Sequence, residues 1–351
     1  MADDFKYHID HHASLVVPSE LRRARERYEA GTASADDVDA AVEAAIEDWL
    51  LRERRLGLLA LSDGEFRRRN SLSVVYDAIS GFGPVEHQSA LAELVGPSHA
   101  PEVRSVTGEL SVSGRLAAAE GAQLTGIDYR STMVALPSPG FVTGLAGAAA
   151  EAGRTLADII RAEITAFAGE GVVYVLLRNP ALAFLLTDEG RERAVSLGID
   201  PDKTVAGLVE ADNAVLDGLE LPENFCLGLD LTTAGQAAGP WSEEAVAGFL
   251  AIQAYERLCV DYPDESRFPL SLVPEGVVMS LGVVDISTPE LEDVDALVAR
   301  IDEAAEIIDI DDIAISTNGG FHLVPELSGE TEQAKLQLVE MVARYFWGNE
   351  L

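Results

Sequence analysis

The sequence contains very little lysine, and this shortage makes the chain strongly acidic. Lysine occurs only at Lys6, Lys203 and Lys335, so 25 basic residues, nearly all arginine, oppose 60 acidic residues and the formal net charge is −35. A surface this negative repels nucleic acid and anionic membranes, and we expect neither as a partner. Because salt screens the self-repulsion, the composition favours adaptation to a salt-rich cytoplasm over an acidic docking surface.

Cysteine and long hydrophobic segments are scarce as well. Cys226 and Cys259 are too few for a disulfide framework, which suits a reducing cytosol. The opening MADDFKYHID is acidic and polar and is not typical of a signal peptide. The uncharged stretch 131–150 contains two prolines and several glycines, which favours a strand, a loop and a helix start over a membrane span. We therefore expect a cytoplasmic protein.

Short, nearly continuous apolar runs recur along the whole chain. A first run enters 11–14, and the others lie at 58–61, 133–136, 172–177, 225–231, 258–260, 277–284 and 313–315. Continuous rather than alternating apolar runs are typical of parallel strands that are buried on both faces. Between them, apolar stripes with helical spacing cover about 34–57, 155–168, 242–257, 289–308 and 331–346, the fourth with Pro289 in its first turn.

Eight strand and helix units of this kind predict an α/β protein with a closed (β/α)8 TIM barrel. The chain shows no linker or low-complexity tract, so we expect one barrel over residues 1–351. The least regular stretch, at about 87–127, is predicted to be an irregular insertion in that barrel.

Acidic side chains follow the carboxyl ends of several predicted strands. They are Asp63, Glu65, Asp230, Asp261 and Asp285. In a TIM barrel these ends form the face that carries the active site. Clustered carboxylates repel one another, so we expect a cation, a proton or a cationic ligand between them.

Six motifs at predicted strand ends resemble one known family. They are DHHASLVVPSELRRARERYEAG from Asp10, LSDGEFRRRN from Leu61, LPSPGF from Leu136, NPALAFL from Asn179, LGVVDISTPELEDVDALVARI from Leu281 and ISTNGGF from Ile315. In this order they resemble the short, single-barrel form of cobalamin-independent methionine synthase, over nearly the whole chain. The resemblance implies a methionine synthase/uroporphyrinogen decarboxylase-like barrel, methyl transfer to a thiol, and no need for cobalamin.

The resemblance also implies a zinc site that holds the accepting thiol as its thiolate. The positions that correspond to its His, Cys, Glu and Cys ligands are Asp230, Thr232, Asp261 and Gly319 here. Only Asp261, in place of the Glu, is a comparable zinc ligand, so we expect the zinc site to be largely lost. The remaining carboxylates, Asp230 and Asp261, favour Mg²⁺, Mn²⁺ or Ca²⁺ over zinc, and His322 is a candidate third ligand.

The implied substrate pocket is altered at one charged position. Ser14 and Glu65 match residues that hold the amino acid in the family, whereas Arg178 stands where the family has an Asp. Arg178 would repel a substrate ammonium and attract a carboxylate, phosphate or sulfonate. Alternatively, Arg178 neutralises Glu65 or Asp63. Asp63, Asn179 and Asp285 are further substrate-binding candidates.

Two other functional features follow from the resemblance. The segment 70–74 after the DGEFRR motif lacks the bulky aromatics and histidine of the family, so we do not expect a stacked folate. His11 lies at the predicted mouth of the first strand and is a candidate acid/base group. Together with Glu65, Asp230 and Asp261, it completes the predicted catalytic set.

Three functions remain open from the sequence. The first is a small-molecule transferase that moves a methyl or alkyl group without zinc and thiolate. The second is a lyase, hydrolase or isomerase that acts on an anionic small molecule with carboxylates, Arg178 and a hard divalent metal. The third is a binding or partner-subunit protein without catalysis. Assembly with the same or another chain also stays open, with helix 34–57 as a candidate interface.

Overall fold

Seven parallel strands form the main sheet in the computed structural model, which describes residues 8–58, 60–85, 88–125, 131–237 and 239–348. The strand order in this sheet is β1 (Ala60–Leu61), β4 (Ser131–Pro137), β5 (Tyr174–Arg178), β6 (Cys226–Asp230), β7 (Arg257–Asp261), β8 (Val278–Val284) and β9 (Ile313–Thr317). The remaining strands, β2 (Ile79–Pro84) and β3 (Arg104–Val112), form a separate two-stranded sheet. Every residue of β5, β7 and β9 is buried, as expected for strands that are covered on both faces.

The N-terminal segment occupies the remaining position of the barrel with a single bridge. Ile9 pairs in parallel with Ile315 of β9, and the Asp10 backbone N donates to the Ile315 carbonyl at 3.0 Å. On its other side, His11 Nε2 donates to the Ala60 carbonyl of β1 at 2.6 Å. The segment thus joins both edge strands, and the predicted (β/α)8 barrel is confirmed. The strand predicted at 11–14 does not form, because the backbone leaves extended geometry after the bridge.

Thirteen α-helices in the described part of the chain surround the strands. They are α1 (Ser19–Glu29), α2 (Ala35–Leu56), α3 (Ser73–Tyr76), α4 (Ala90–His99), α5 (Ala118–Thr125), α6 (Pro139–Leu145), α7 (Ala150–Glu170), α8 (Pro180–Leu186), α9 (Asp188–Ser196), α10 (Pro201–Asn213), α11 (Glu243–Ile252), α12 (Val294–Ala305) and α13 (Gly329–Trp347). Within the described ranges, no helix combines the length and the apolar character of a membrane span.

Local signals explain where two of these helices begin and end. Ser34 caps α2 in a reciprocal capping box with Asp37, and Gly57 ends the helix in the left-handed conformation. The helix predicted to begin near Pro289 begins instead at Val294, because the Asp293 side chain caps the backbone there. Pro289 therefore lies in the preceding loop, which corrects the predicted start.

The stretch 87–127, predicted to be irregular, contains regular elements, which corrects that expectation. β3 pairs antiparallel with β2, and α4 and α5 lie on either side of β3 in the sequence. α4 is broken at Gly96, whose φ of 77° lies in the left-handed region. The residues after the break, which end at His99, line the mouth of the barrel. Residue 59, in the apolar run predicted at 58–61, lies outside the described residues, as do residues 86–87 and 126–130.

Inside the barrel, the buried side chains divide into an apolar cluster and a charged one. The apolar cluster contains Ala13, Ala60, Met133, Ala135, Tyr174, Leu176 and Cys259. Beside it, the Asp10 carboxylate accepts hydrogen bonds from the Tyr174 hydroxyl at 2.6 Å and from Arg257 Nη2 at 3.0 Å. Burial alone would raise the pKa of Asp10, but the Arg257 guanidinium, together with His12 and the Tyr174 hydroxyl, outweighs it and holds that pKa below its ordinary value. Asp10 and Arg257 therefore form an ion pair within the core.

Asp10→Ala is expected to destabilise the fold by about 3–5 kcal/mol, because it leaves the buried Arg257 without its carboxylate. Chemical denaturation at neutral pH measures the change. Glu210→Ala, which removes the exposed partner of Arg154, is the matched control and should leave the unfolding midpoint unchanged. A loss for Asp10→Ala as small as that of the control would contradict the structural role of the pair.

A buried carboxyl group connects the last helix to the N-terminal segment. Glu332, in the first turn of α13, accepts a hydrogen bond from the Val16 backbone N at 2.6 Å. Burial raises the pKa of Glu332 from 4.5 to about 8. Since the folded chain binds this proton more tightly than the unfolded chain, the stabilisation is complete below pH 4.5. It is lost as the pH rises towards 8.

Glu332→Gln keeps the hydrogen-bond acceptor and removes this titration. We expect the variant to differ little from the native chain at pH 5 and to be more stable at pH 9, by on the order of a few kcal/mol. Denaturation at the two pH values measures the difference. Glu330→Gln, an exposed change in the same turn, should show no such pH dependence. A constant difference between Glu332→Gln and the native chain would refute the raised pKa.

Candidate functional site

A cavity with two chambers opens at the carboxyl ends of β4, β5 and β6. The outer chamber has a volume of about 420 Å³ and is lined by Ser14, Glu65 and Arg68, among others. The inner chamber, of about 20 Å³, reaches Arg178, Asp230 and His99. The two chambers share three lining residues, Ser71, His322 and Leu323. The outer chamber has room for a metabolite, whereas the inner one has room for a single small group.

Asp230, at the end of β6, is paired with a histidine that the sequence did not single out. His12 Nδ1 lies 3.0 Å from Asp230 Oδ2, and His12 Nε2 donates to the Thr317 carbonyl at 2.9 Å. Burial alone disfavours a charged imidazole, but the Asp230 carboxylate, together with Asp10 and the Thr317 carbonyl, outweighs it and raises the pKa of His12. His12 is therefore the imidazolium partner of Asp230. The other carboxylate oxygen, Oδ1, accepts from the Thr232 backbone N at 2.9 Å and the Thr232 hydroxyl at 2.6 Å.

A second set of paired charges lies next to the first. Glu65 Oε1 lies 2.8 Å from Arg178 Nη1 and accepts from Arg68 Nη1 at 2.9 Å. Arg68 also makes a bidentate pair with Glu120, with both N–O distances at 2.7 Å. Two carboxylates thus face two guanidinium groups in a buried environment. Arg178 thus lies within ion-pair distance of Glu65, in keeping with one of the two roles predicted for it.

The backbone at this mouth adopts left-handed geometry at residues other than glycine. The φ angles are 58° at His12, 63° at Ala13, 59° at Glu65 and 54° at Ala234. Such conformations are costly for residues with a side chain, and they concentrate at functional sites where the surrounding contacts impose them. The left-handed residues His12 and Ala13 turn the chain directly before Ser14. The left-handed residue Glu65 lies shortly after the end of β1.

Two further histidines border the chambers without a bound carboxylate. His322 Nδ1 lies 2.6 Å from Ser14 Oγ. Burial, followed by the positive charge of Arg178, lowers the pKa of His322 well below its ordinary value. His99 has a buried Nε2 without a hydrogen-bond partner, and burial lowers the pKa of His99 to about 4. Both imidazoles are therefore neutral at physiological pH.

Asp261 and Asp285 line a different groove from the residues described above. This groove has a volume of about 580 Å³ and lies near the ends of β7 and β8. Asp261 accepts from the Thr233 hydroxyl at 2.6 Å, and burial raises the pKa of Asp261 to about 6. Asp285 accepts from Asn318 Nδ2 at 2.9 Å. The predicted site is thus divided between two depressions at the same end of the barrel.

Three other predicted site residues are held in structural contacts. His11 turns its ring towards the Ala60 carbonyl and towards Glu53 Oε1 at 3.5 Å, so it is His12 and not His11 that contacts Asp230. Asn179 Nδ2 donates to Asp212 at 2.7 Å, away from the cavity. Asp63 accepts from the Glu65 backbone N at 2.8 Å, and burial, with the nearby Glu120 carboxylate, raises the pKa of Asp63 to about 8.

The residues at the implied zinc positions do not fit that ion. The ligand atoms of the predicted trio, Asp230, Asp261 and His322, do not come together as a group. In the described ranges, the only group of three possible ligands with atoms within 4.8 Å of one another is His12, Asp230 and Cys259. Both His12 nitrogens and both Asp230 oxygens already have partners within the protein. Burial raises the pKa of the Cys259 thiol well above its ordinary value.

Comparison with known proteins gives relatives over nearly the whole chain. No protein-family model matches. Two uncharacterized proteins of Bacillus subtilis are similar, YxjH with 26% identity and YxjG with 23% identity, each covering 97% of this chain and 95% of the relative. Neither name describes an activity.

Two solved structures share the architecture. A candidate vitamin-B12-independent methionine synthase from Listeria monocytogenes superposes with a TM-score of 0.74 and 21% identity, over 98% of both chains. A B12-independent methionine synthase from Shewanella sp. W3-18-1, in complex with selenomethionine, superposes with a TM-score of 0.70 and 16% identity, over 91% of both chains. The chain therefore has the barrel fold of the B12-independent methionine synthases.

Proposed function

We propose that the chain is a small-molecule transferase that moves a methyl or alkyl group without a zinc-bound thiolate. The observation that carries the proposal is the two-chambered cavity at the mouth of a barrel of this fold, in which the implied zinc positions hold internally bonded side chains. A cavity of about 420 Å³ that leads to a few buried polar groups is typical of a small-molecule site.

The charges around the cavity support an anionic substrate. Arg178 has two buried guanidinium nitrogens, Nε and Nη1, without a well-oriented hydrogen-bond acceptor, although Nη1 lies close to Glu65. A carboxylate or phosphate group that reaches the inner chamber, which Arg178 lines, can accept from these nitrogens. The acceptor group of the substrate must then lose its proton without the help of zinc, and the neutral imidazole of His322 faces the chamber where this can occur.

The absence of zinc chemistry is tested by metal analysis of the full chain after purification without added metal. We expect far less than one zinc per chain, because the donor atoms at the mouth are bonded to one another. Cys259→Ser is the matched variant and should leave the metal content unchanged. One tightly held zinc per chain, lost in Cys259→Ser, would contradict the proposal.

Recognition of an anion is tested by thermal shift with succinate, phosphate and methanesulfonate, each compared with a neutral amide of similar size. At least one anion is expected to raise the Tm, and Arg178→Lys should reduce the shift because lysine cannot reproduce the planar guanidinium. Each variant is compared with its own ligand-free Tm, and the exposed Arg154→Lys is the control. Equal shifts in Arg178→Lys and the native chain would remove Arg178 from the substrate site.

A further inference from the structure

A serine and a neutral histidine meet at the wall of the outer chamber. Ser14 Oγ lies 2.6 Å from His322 Nδ1, and both residues line the chamber of about 420 Å³. Ser14 is almost fully buried from bulk solvent. In the tautomer that carries its proton on Nε2, His322 Nδ1 accepts the Ser14 hydroxyl hydrogen across this distance. This is the relation between a nucleophile and its general base.

The surrounding backbone is built to hold the two side chains together. Ser14 follows the left-handed residues His12 and Ala13, and its backbone N donates to the His12 carbonyl at 2.8 Å. His322 lies in the short 3-10 turn that begins at Phe321, whose backbone N donates to the Ser14 carbonyl at 3.2 Å. Two distant parts of the chain are therefore joined by their backbones beside the contact of their side chains.

Gly320 provides the space that this contact requires. A Cβ atom at Gly320 would lie 2.2 Å from Ser14 Oγ and 2.8 Å from His322 Nδ1, which is closer than real Cβ contacts allow. Its φ of −76° is open to any residue, so the need for glycine comes from the neighbouring atoms and not from the backbone. An alanine at this position would displace the serine or the histidine while removing neither.

We propose that Ser14 and His322 form a nucleophile and base pair that cleaves an ester or thioester of an anionic small molecule. Ser14 Oγ bonds to the acyl carbon and gives its proton to His322 Nδ1. The bond from that carbon to the leaving oxygen or sulfur breaks, and the leaving group takes the proton from His322. Water then attacks the acyl carbon and gives a proton to His322. The bond from that carbon to Ser14 Oγ breaks, and Oγ takes the proton from His322, which releases the acid and free Ser14.

Arg178 places positive charge beside this pair. Its Nη2 donates to the His12 carbonyl, the same oxygen that accepts from the Ser14 backbone N, so the guanidinium lies next to the serine. A cation in this position attracts an anionic substrate and stabilises negative charge on the acyl oxygen during attack. The inner chamber, which Arg178 lines, has room for a single small group of the substrate, so the rest of the substrate must bind in the outer chamber. This activity does not depend on the methyl or alkyl transfer proposed above.

The test is covalent labelling of the full chain with a fluorophosphonate probe, followed by peptide mapping. We expect one label per chain, on the peptide that contains Ser14, and none in Ser14→Ala. His322→Asn should slow labelling by about 100-fold or more, the usual contribution of a general base. Gly320→Ala should slow it comparably by separating the pair. Ser196→Ala, which removes a remote surface serine, is the control and should label at the native rate.

The second readout is hydrolysis of p-nitrophenyl esters, comparing the monosuccinate with the neutral butyrate. Faster hydrolysis of the succinate, lost in Ser14→Ala, would support the proposal. A folded chain that is not labelled at Ser14, or one labelled equally fast in His322→Asn and Gly320→Ala, would overturn it. The circular dichroism of each variant verifies folding. Because zinc content and anion binding are measured without this chemistry, failure here leaves the proposed transferase function standing.

Discussion

The arrangement of the barrel mouth depends on one constraint: the charges buried there must be balanced by other side chains of the same chain. Asp230 is balanced by His12, and Glu65 lies between Arg178 and Arg68. An unpaired carboxylate at this depth would cost several kcal/mol, so these contacts determine where each side chain points. The cation expected between the clustered acids is supplied by histidine and arginine.

This internal balance is the basis for the proposed loss of the zinc site. A zinc ion needs ligand atoms with free electron pairs that converge on one point. Asp230 has both oxygens engaged by His12 and Thr232, and Asp261 is held by Thr233 in the adjoining groove. The same contacts leave the outer chamber bordered by Ser14 and His322, two groups that can move a proton between them. The proton transfer proposed for Ser14 and His322 rests on this arrangement.

The regular part of the fold could be predicted because parallel strands that are buried on both faces have continuous apolar sequences. Seven of the eight runs coincide with strands, with Leu59 outside the described residues, and the eighth position is a single bridge at Ile9. The site could be predicted only in part. Because the backbone turns in the left-handed conformation at His12, His12 contacts Asp230 while His11 points towards Ala60. The conformational preferences of these residues do not predict such a turn. Arg68 and His99 were missed because their functions depend on contacts with Glu120 and with the inner chamber, which are distant in sequence.

The protonation state of His12 at neutral pH tests the internal balance of charge most directly. In nitrogen-15 NMR spectra of the full chain at pH 7, both His12 ring nitrogens are expected to carry a proton, with a pKa above the ordinary value. Asp230→Asn should lower that pKa, because the mutation removes the carboxylate that stabilises the imidazolium. A neutral His12 at pH 7, or a His12 signal shifted by one equivalent of zinc, would show that the mouth is not balanced by its own side chains.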